Sequence, residues 1–182
     1  VVLASGEAFT MSFAGNDMIN FTIDNKSSTR GRDQNGNELS DGVSNTGTII
    51  ANGGSVLVTA RAASGVLNNV INLEGIVEVK SIGQKNGILI LSGDPDGGVV
   101  RVAAKVNASG RNAGERGGSI DITGYNILLA DNALLDASGD LGGGNINIGG
   151  NYQGNGPLPH ANAVVMMKNA RITADAISSG NG

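Results

Sequence analysis

The sequence predicts an all-β fold: a right-handed, single-stranded parallel β-helix with three strands per coil and a period of about 28–29 residues. Three observations carry this prediction. A glycine turn followed by alternating apolar residues recurs four times. A second short strand recurs at nearly constant spacing. No segment holds the i, i+3, i+4, i+7 apolar stripe that a helical crossover needs.

The first pattern comprises Gly53-Gly54-Ser55-Val56-Leu57-Val58, Asn86-Gly87-Ile88-Leu89-Ile90-Leu91, Gly117-Gly118-Ser119-Ile120-Asp121-Ile122 and Gly143-Gly144-Asn145-Ile146-Asn147-Ile148. Strands with period 2 place alternate residues on opposite faces. The inward columns are therefore Val56, Leu89, Ile120 and Ile146, and beside them Val58, Leu91, Ile122 and Ile148. Asp121 and Asn147 then face water.

The second pattern contributes the column Ile49, Val77, Val106, Leu135 and Ile172, at successive spacings of 28, 29, 29 and 37 residues. Periods of about 20–50 residues mark solenoids and propellers. A third strand fits each interval, at Val70–Leu73, Val99–Val102, Asn126–Leu129 and Ala163–Met166. The rival architecture is an antiparallel sandwich, because Asn52-Gly53 and Asn86-Gly87 suit hairpin turns. Equivalent columns return in the same order and not in mirror order, which favours parallel stacking.

Composition agrees. The 182 residues include 30 Gly, only 3 Pro and 3% aromatics, yet hydrophobics reach 40%. Short β-branched strands between glycine turns have this character, and the regular apolar triplets distinguish the chain from a disordered glycine-rich polymer. The net charge is −4 with dispersed Lys and Arg, so no basic footprint for nucleic acid is present. Cysteine is absent, which removes disulfides and thiolate metal sites. No apolar run approaches the ~20 residues that span a bilayer. Val1 opens directly in apolar sequence, which reads as a segment of a longer chain.

Three regions depart from the repeat. Residues 1–23 hold all three Phe in two alternating sets, Phe9, Met11, Phe13 and Ile19, Phe21, Ile23, around a turn at Gly15-Asn16-Asp17. They read as a strand pair outside the helix. Residues 24–44 are polar and read as an excursion loop; Arg30-Gly31-Arg32-Asp33 within it falls one residue short of an Arg-Gly-Asp sequence and receives no role. The β-helix coils then occupy 45–182, interrupted by a loop insertion at 151–162 that carries two prolines and the only His. Loops on rigid scaffolds often carry binding, so Tyr152, Gln153 and His160 are the candidate surface contacts.

Catalytic chemistry is thin. His160 has no nucleophile motif around it. A polysaccharide-processing enzyme needs convergent carboxylates with a basic residue, for which Asp121, Asp136, Asp140 and Arg111 or Arg116 are the available set. Each sits where a solvated strand or turn position is expected, so the chain is read as no enzyme. Gly142-Gly143-Gly144-Asn145-Ile146-Asn147 lacks the Asp and the period of the calcium-binding nonapeptide. No metal and no cofactor is therefore expected. The triplets at Asn20, Asn25 and Asn107 match the N-glycosylation pattern, as chance allows in an Asn-rich chain.

Four stretches, Leu3-Ala4-Ser5-Gly6-Glu7-Ala8-Phe9-Thr10, Ser55-Val56-Leu57-Val58-Thr59-Ala60-Arg61-Ala62-Ala63, Asp136-Ala137-Ser138-Gly139 and Ile148-Gly149-Gly150-Asn151-Tyr152-Gln153-Gly154, resemble the filamentous hemagglutinin family of two-partner secretion exoproteins. The resemblance runs over nearly the whole chain and is least typical near residues 26–40. It implies a passenger that passes a dedicated outer-membrane β-barrel transporter and folds outside a Gram-negative cell as a long shaft, secreted or on the cell surface. The Asn-Pro-Asn type sequence of the family's secretion domain is not present, so no transporter-contact residue carries over, and the family brings no catalytic residue. The implied function is an adhesin shaft mediating attachment to a host or cell-surface receptor or glycan. A β-helix polysaccharide-processing enzyme and a filament-forming scaffold unit are the alternatives.

Overall fold

The computed structural model describes residues 1–14 and 18–182, and side chains outside 13–20. The expected turn at Gly15-Asn16-Asp17 lies outside the described residues. The chain forms a parallel β-solenoid with three faces. The first sheet contains β1 (Val2–Ser5), β6 (Ser55–Ala60), β9 (Ile88–Ser92), β12 (Ser119–Thr123) and β15 (Asn145–Ile148). The second contains β4 (Asp41–Asn45), β7 (Asn69–Leu73), β10 (Val99–Val102), β13 (Asn126–Leu129) and β16 (Ala163–Met166). The third contains β5 (Thr48–Ile50), β8 (Ile76–Glu78), β11 (Lys105–Asn107), β14 (Leu134–Asp136) and β17 (Arg171–Thr173). Every pairing within these sheets is parallel, so the sandwich is ruled out. One strand from each sheet makes a rung.

The register is the one the periodicity predicts. Leu89 lies between Val56 and Ile120, Leu91 lies between Val58 and Ile122, and all six side chains are fully buried. The third sheet stacks Ile49, Val77, Val106, Leu135 and Ile172 in one column. The second adds Val43, Ile71, Val100, Ile127 and Val164. Inward residues of the three faces thus meet in a single apolar core along the axis. Burial of each Val, Leu or Ile contributes about 1.5–3 kcal/mol relative to exposure.

Glycine precedes the first-sheet strands for a steric reason. The Ile88, Ser119 and Asn145 amides donate to the carbonyls of Gly54, Gly87 and Gly118, so these turn residues form a stacked column. A Cβ at Gly87 would lie 1.3 Å from the Val79 carbonyl oxygen, and one at Gly144 would lie 1.8 Å from that of Gly118. The corner closes only without side chains.

The solenoid reaches further toward the N-terminus than the sequence pattern indicates. β1 pairs with β6, Ser5 lying opposite Ala60, and Ser27 then bridges to Ala62 along the same line. Residues 6–26 are therefore an insertion into the first rung. They contain the antiparallel pair β2 (Ala8–Ala14) and β3 (Met18–Asn25), whose neck is closed by the Glu7 amide on the Asn25 carbonyl. Phe9 stacks on Phe21 at 4.9 Å between ring centroids. The polar excursion also ends earlier than expected, because Asp41–Asn45 is a solenoid strand in which only Val43 supplies an inward apolar side chain. Arg30 ties the excursion to the second rung through Nε on the Val66 carbonyl and Nη2 on Asn68 Oδ1.

Candidate functional site

The insertion between β15 and β16 places Tyr152, Gln153 and His160 at the surface. Tyr152–Gly154 is a single 3₁₀ turn in which Gln153 adopts φ 54°, in the left-handed region. The Asn151 Oδ1 accepts the Leu158 amide at 2.9 Å and holds the loop's two limbs together. The His160 ring lies over backbone without side chains: a Cβ at Gly150 would stand 2.9 Å from its Cδ2, and one at Gly154 3.3 Å from its Cε1. Gln153 Nε2 donates to the Tyr152 hydroxyl at 3.4 Å. The three predicted residues thus share one small loop, and Tyr152 is 83% exposed. They offer a phenol, an amide and an imidazole to a partner.

The carboxylates considered for acid and base work divide between faces. Arg111 Nη2 pairs with Asp136 Oδ2 at 2.7 Å. Burial raises the Asp136 carboxyl, but the Arg111 and Ser138 hydrogen bonds outweigh it and leave the group below its ordinary range. Asp140 accepts the Gly114 amide and the Ser178 hydroxyl, which lower it as well. Asp121 lies on the first sheet with the Asn147 amide on its Oδ1 at 2.8 Å. Arg116 reaches toward Gly142, where an added Cβ would meet its Nη1 at 2.9 Å. Arg111 and Asp136 are brought together, whereas Asp121 belongs to a different face.

Beside Arg111 lies a pocket of about 280 Å³, lined by Lys80, Ser81, Asn107, Ser109, Arg111, Asn112 and Glu115. It was not read from the sequence, because its residues are ordinary polar turn residues on two successive rungs. Their shared phase in the repeat was the available signal: Ser81 and Ser109 occupy equivalent corners, and the Ser81 amide donates to the Ser109 carbonyl at 3.0 Å. Glu115 anchors the pocket. Its two oxygens accept from the Asn112 side chain, the Gly83 amide and the Asn112 amide, and these bonds hold its carboxyl below the usual range. Lys80 Nζ pairs with Glu78 at 3.0 Å.

A further charged cluster joins the inserted strand pair to the solenoid. Asp94 is fully buried, and its Oδ1 accepts from Lys26 Nζ and the Asp96 amide, both at 2.9 Å, while its Oδ2 has no partner among the described residues. Asp96 takes the same ammonium at 2.8 Å. Asp94 first and Asp96 second hold the Lys26 pKa above its ordinary value. This is a clamp between the neck of the insertion and the third rung.

Among the described residues, no three His, Asp or Glu side chains group as a metal site, and no helix is long and apolar enough to cross a membrane. No family model matches the sequence, and no curated protein matches it. The fold therefore defines the class: an all-β parallel solenoid with an antiparallel strand pair inserted in its first rung.

Proposed function

We propose that this chain is a segment of the shaft of a large secreted or surface-exposed bacterial adhesin and acts mechanically, not as a catalyst. The observation that carries the reading is the rung-on-rung architecture, in which three parallel sheets of five strands each stack equivalent columns over one apolar core along the axis. In a solenoid each rung buries its apolar face against its neighbours, so repetition of the same rung lengthens the rod without changing its plan, as a shaft requires. The resemblance to filamentous hemagglutinins supports the same reading. It supplies the route, through an outer-membrane β-barrel transporter of a Gram-negative cell, and the purpose, attachment to a host or cell-surface receptor or glycan. The loop of Tyr152, Gln153 and His160 is the proposed surface contact.

The test is accessibility on intact cells of the organism that encodes the chain. Antibody raised against residues 1–182 is expected to label unpermeabilised cells or to recover the protein from medium, and added protease is expected to remove the cell-bound signal. Labelling that requires permeabilisation would overturn the reading. An end-to-end filament is the second reading, favoured by the same rung-on-rung stacking, and concentration-dependent growth of rods in light scattering distinguishes it.

A further inference from the structure

We propose that the polar pocket on the second and third rungs is a subsite for one neutral sugar residue of a glycan. The inference deepens the adhesive reading by locating a contact on the shaft itself. Its volume of about 280 Å³ lies just below the ~300–1,000 Å³ typical of ligand pockets, which suits one ring and not an extended chain. All seven lining side chains carry a polar group, so the wall offers hydrogen-bonding groups set among aliphatic stems, the mixture that the hydroxyls and C–H faces of a sugar match.

The hydrogen-bonding capacity that remains decides the ligand class. Asn107 spends its Oδ1 on the Ser109 amide and hydroxyl, and its side-chain nitrogen has no partner among the described residues. Arg111 commits only Nη2, to Asp136, and Lys80 only one bond, to Glu78. An ammonium offers three donors and a guanidinium five, so donors are left over at three points around the rim. Acceptor capacity remains at the Ser109 hydroxyl, which donates to Asn107, whereas the Ser81 hydroxyl already accepts the Gly87 amide at 3.4 Å. A sugar hydroxyl both accepts and donates and satisfies such a mixture.

Charge argues for a neutral ring over an acidic one. Each cation already faces its own carboxylate, at 3.0 Å for Lys80 with Glu78 and 2.7 Å for Arg111 with Asp136. Glu115 adds a further negative charge at the pocket. No uncompensated positive charge awaits an anion. The Asp136 pairing fixes the Arg111 guanidinium before any ligand arrives, and such preorganisation lowers the cost of binding. No aromatic ring lines the pocket to stack on a sugar face. Affinity for a single residue is accordingly weak, with Kd on the order of 1–10 mM.

The experiment is a two-dimensional amide NMR titration of the chain with the methyl glycosides of glucose, galactose and mannose, and separately with glucuronate, sulfate and glycerol. At least one neutral glycoside is expected to saturate, with shifts confined to Ser81, the Asn107 side-chain amide and the backbone of residues 107–112. Arg111→Gln and Lys80→Gln are each expected to weaken that glycoside at least tenfold, with the remaining spectrum preserved as the measure of folding. Lys168→Gln, elsewhere on the surface, is expected to leave it unchanged. The proposal is overturned if none of the three glycosides produces localised shifts by about 100 mM, if glycerol matches them, or if glucuronate or sulfate binds more tightly. Saturable sugar binding by a chain that proves inaccessible on intact cells would keep the subsite and remove the shaft reading, so the two fail separately.

Discussion

Asp121 and Ile122 are neighbours in sequence and opposites in environment, which makes them the sharpest probe at the residue scale. Ile122 is fully buried between Leu91 and Ile148 in its column, while Asp121 is half-buried on the outer face and bonded to Asn147. Ile122→Asp puts an unpaired carboxylate into the core and is expected to cost on the order of 3–5 kcal/mol. Asp121→Asn keeps a side-chain oxygen for Asn147 and should stay within about 0.5 kcal/mol. Urea melts of the two variants are expected to separate widely, the second overlaying the parent. Lys26 supplies a different residue-scale test. Its removal in Lys26→Met leaves Asp94 fully buried with only the Asp96 amide on its carboxylate, a loss expected at about 1–3 kcal/mol. Adding Asp94→Asn removes the buried charge and should recover part of that loss; an additive double variant would show that the clamp is not coupled.

At the scale of elements, the loop carrying Tyr152, Gln153 and His160 is separable from the solenoid. Its side chains from Tyr152 to Pro157 are exposed, and loops off a packed scaffold add little core. Replacing residues 152–161 with a short Gly-Ser linker is expected to leave the β circular dichroism and the Tm nearly unchanged; a large drop in Tm would mean that the loop is packed. Which elements the sequence revealed follows from how much of the inward pattern each one keeps. β6, β9, β12 and β15 show two inward apolar residues after a glycine turn, and their register could be written down from that spacing. β4 offers only Val43 among Asp41, Gly42, Ser44 and Asn45, so it read as loop. β1 was hidden differently. Residues 6–26 separate Ser5 from Ser27, two positions of one continuous line, and an insertion of that size erases a period of about 29 residues. The pocket was illegible because hydrogen-bonding turn residues look alike whether or not they converge. Only coil closure brings Lys80 and Ser81 beside Arg111 and Asn112.

In the whole molecule, stability accumulates rung by rung. Nearest-neighbour stacking dominates repeat arrays, so an extra rung adds core without disturbing the fold, whereas a closed sandwich has no place for one. A second copy of residues 88–118 inserted after Gly118 supplies β9, β10 and β11 again and sets Leu89 and Leu91 on their own duplicates. Solution X-ray scattering combined with a thermal melt of this lengthened chain measures whether the added rung extends and stabilises the rod. The solenoid predicts a folded rod longer by about 4.8 Å, the spacing of adjacent strands, with a Tm equal to or above that of the parent. A collapsed or aggregated product, or a folded one with unchanged length and a lower Tm, would contradict it.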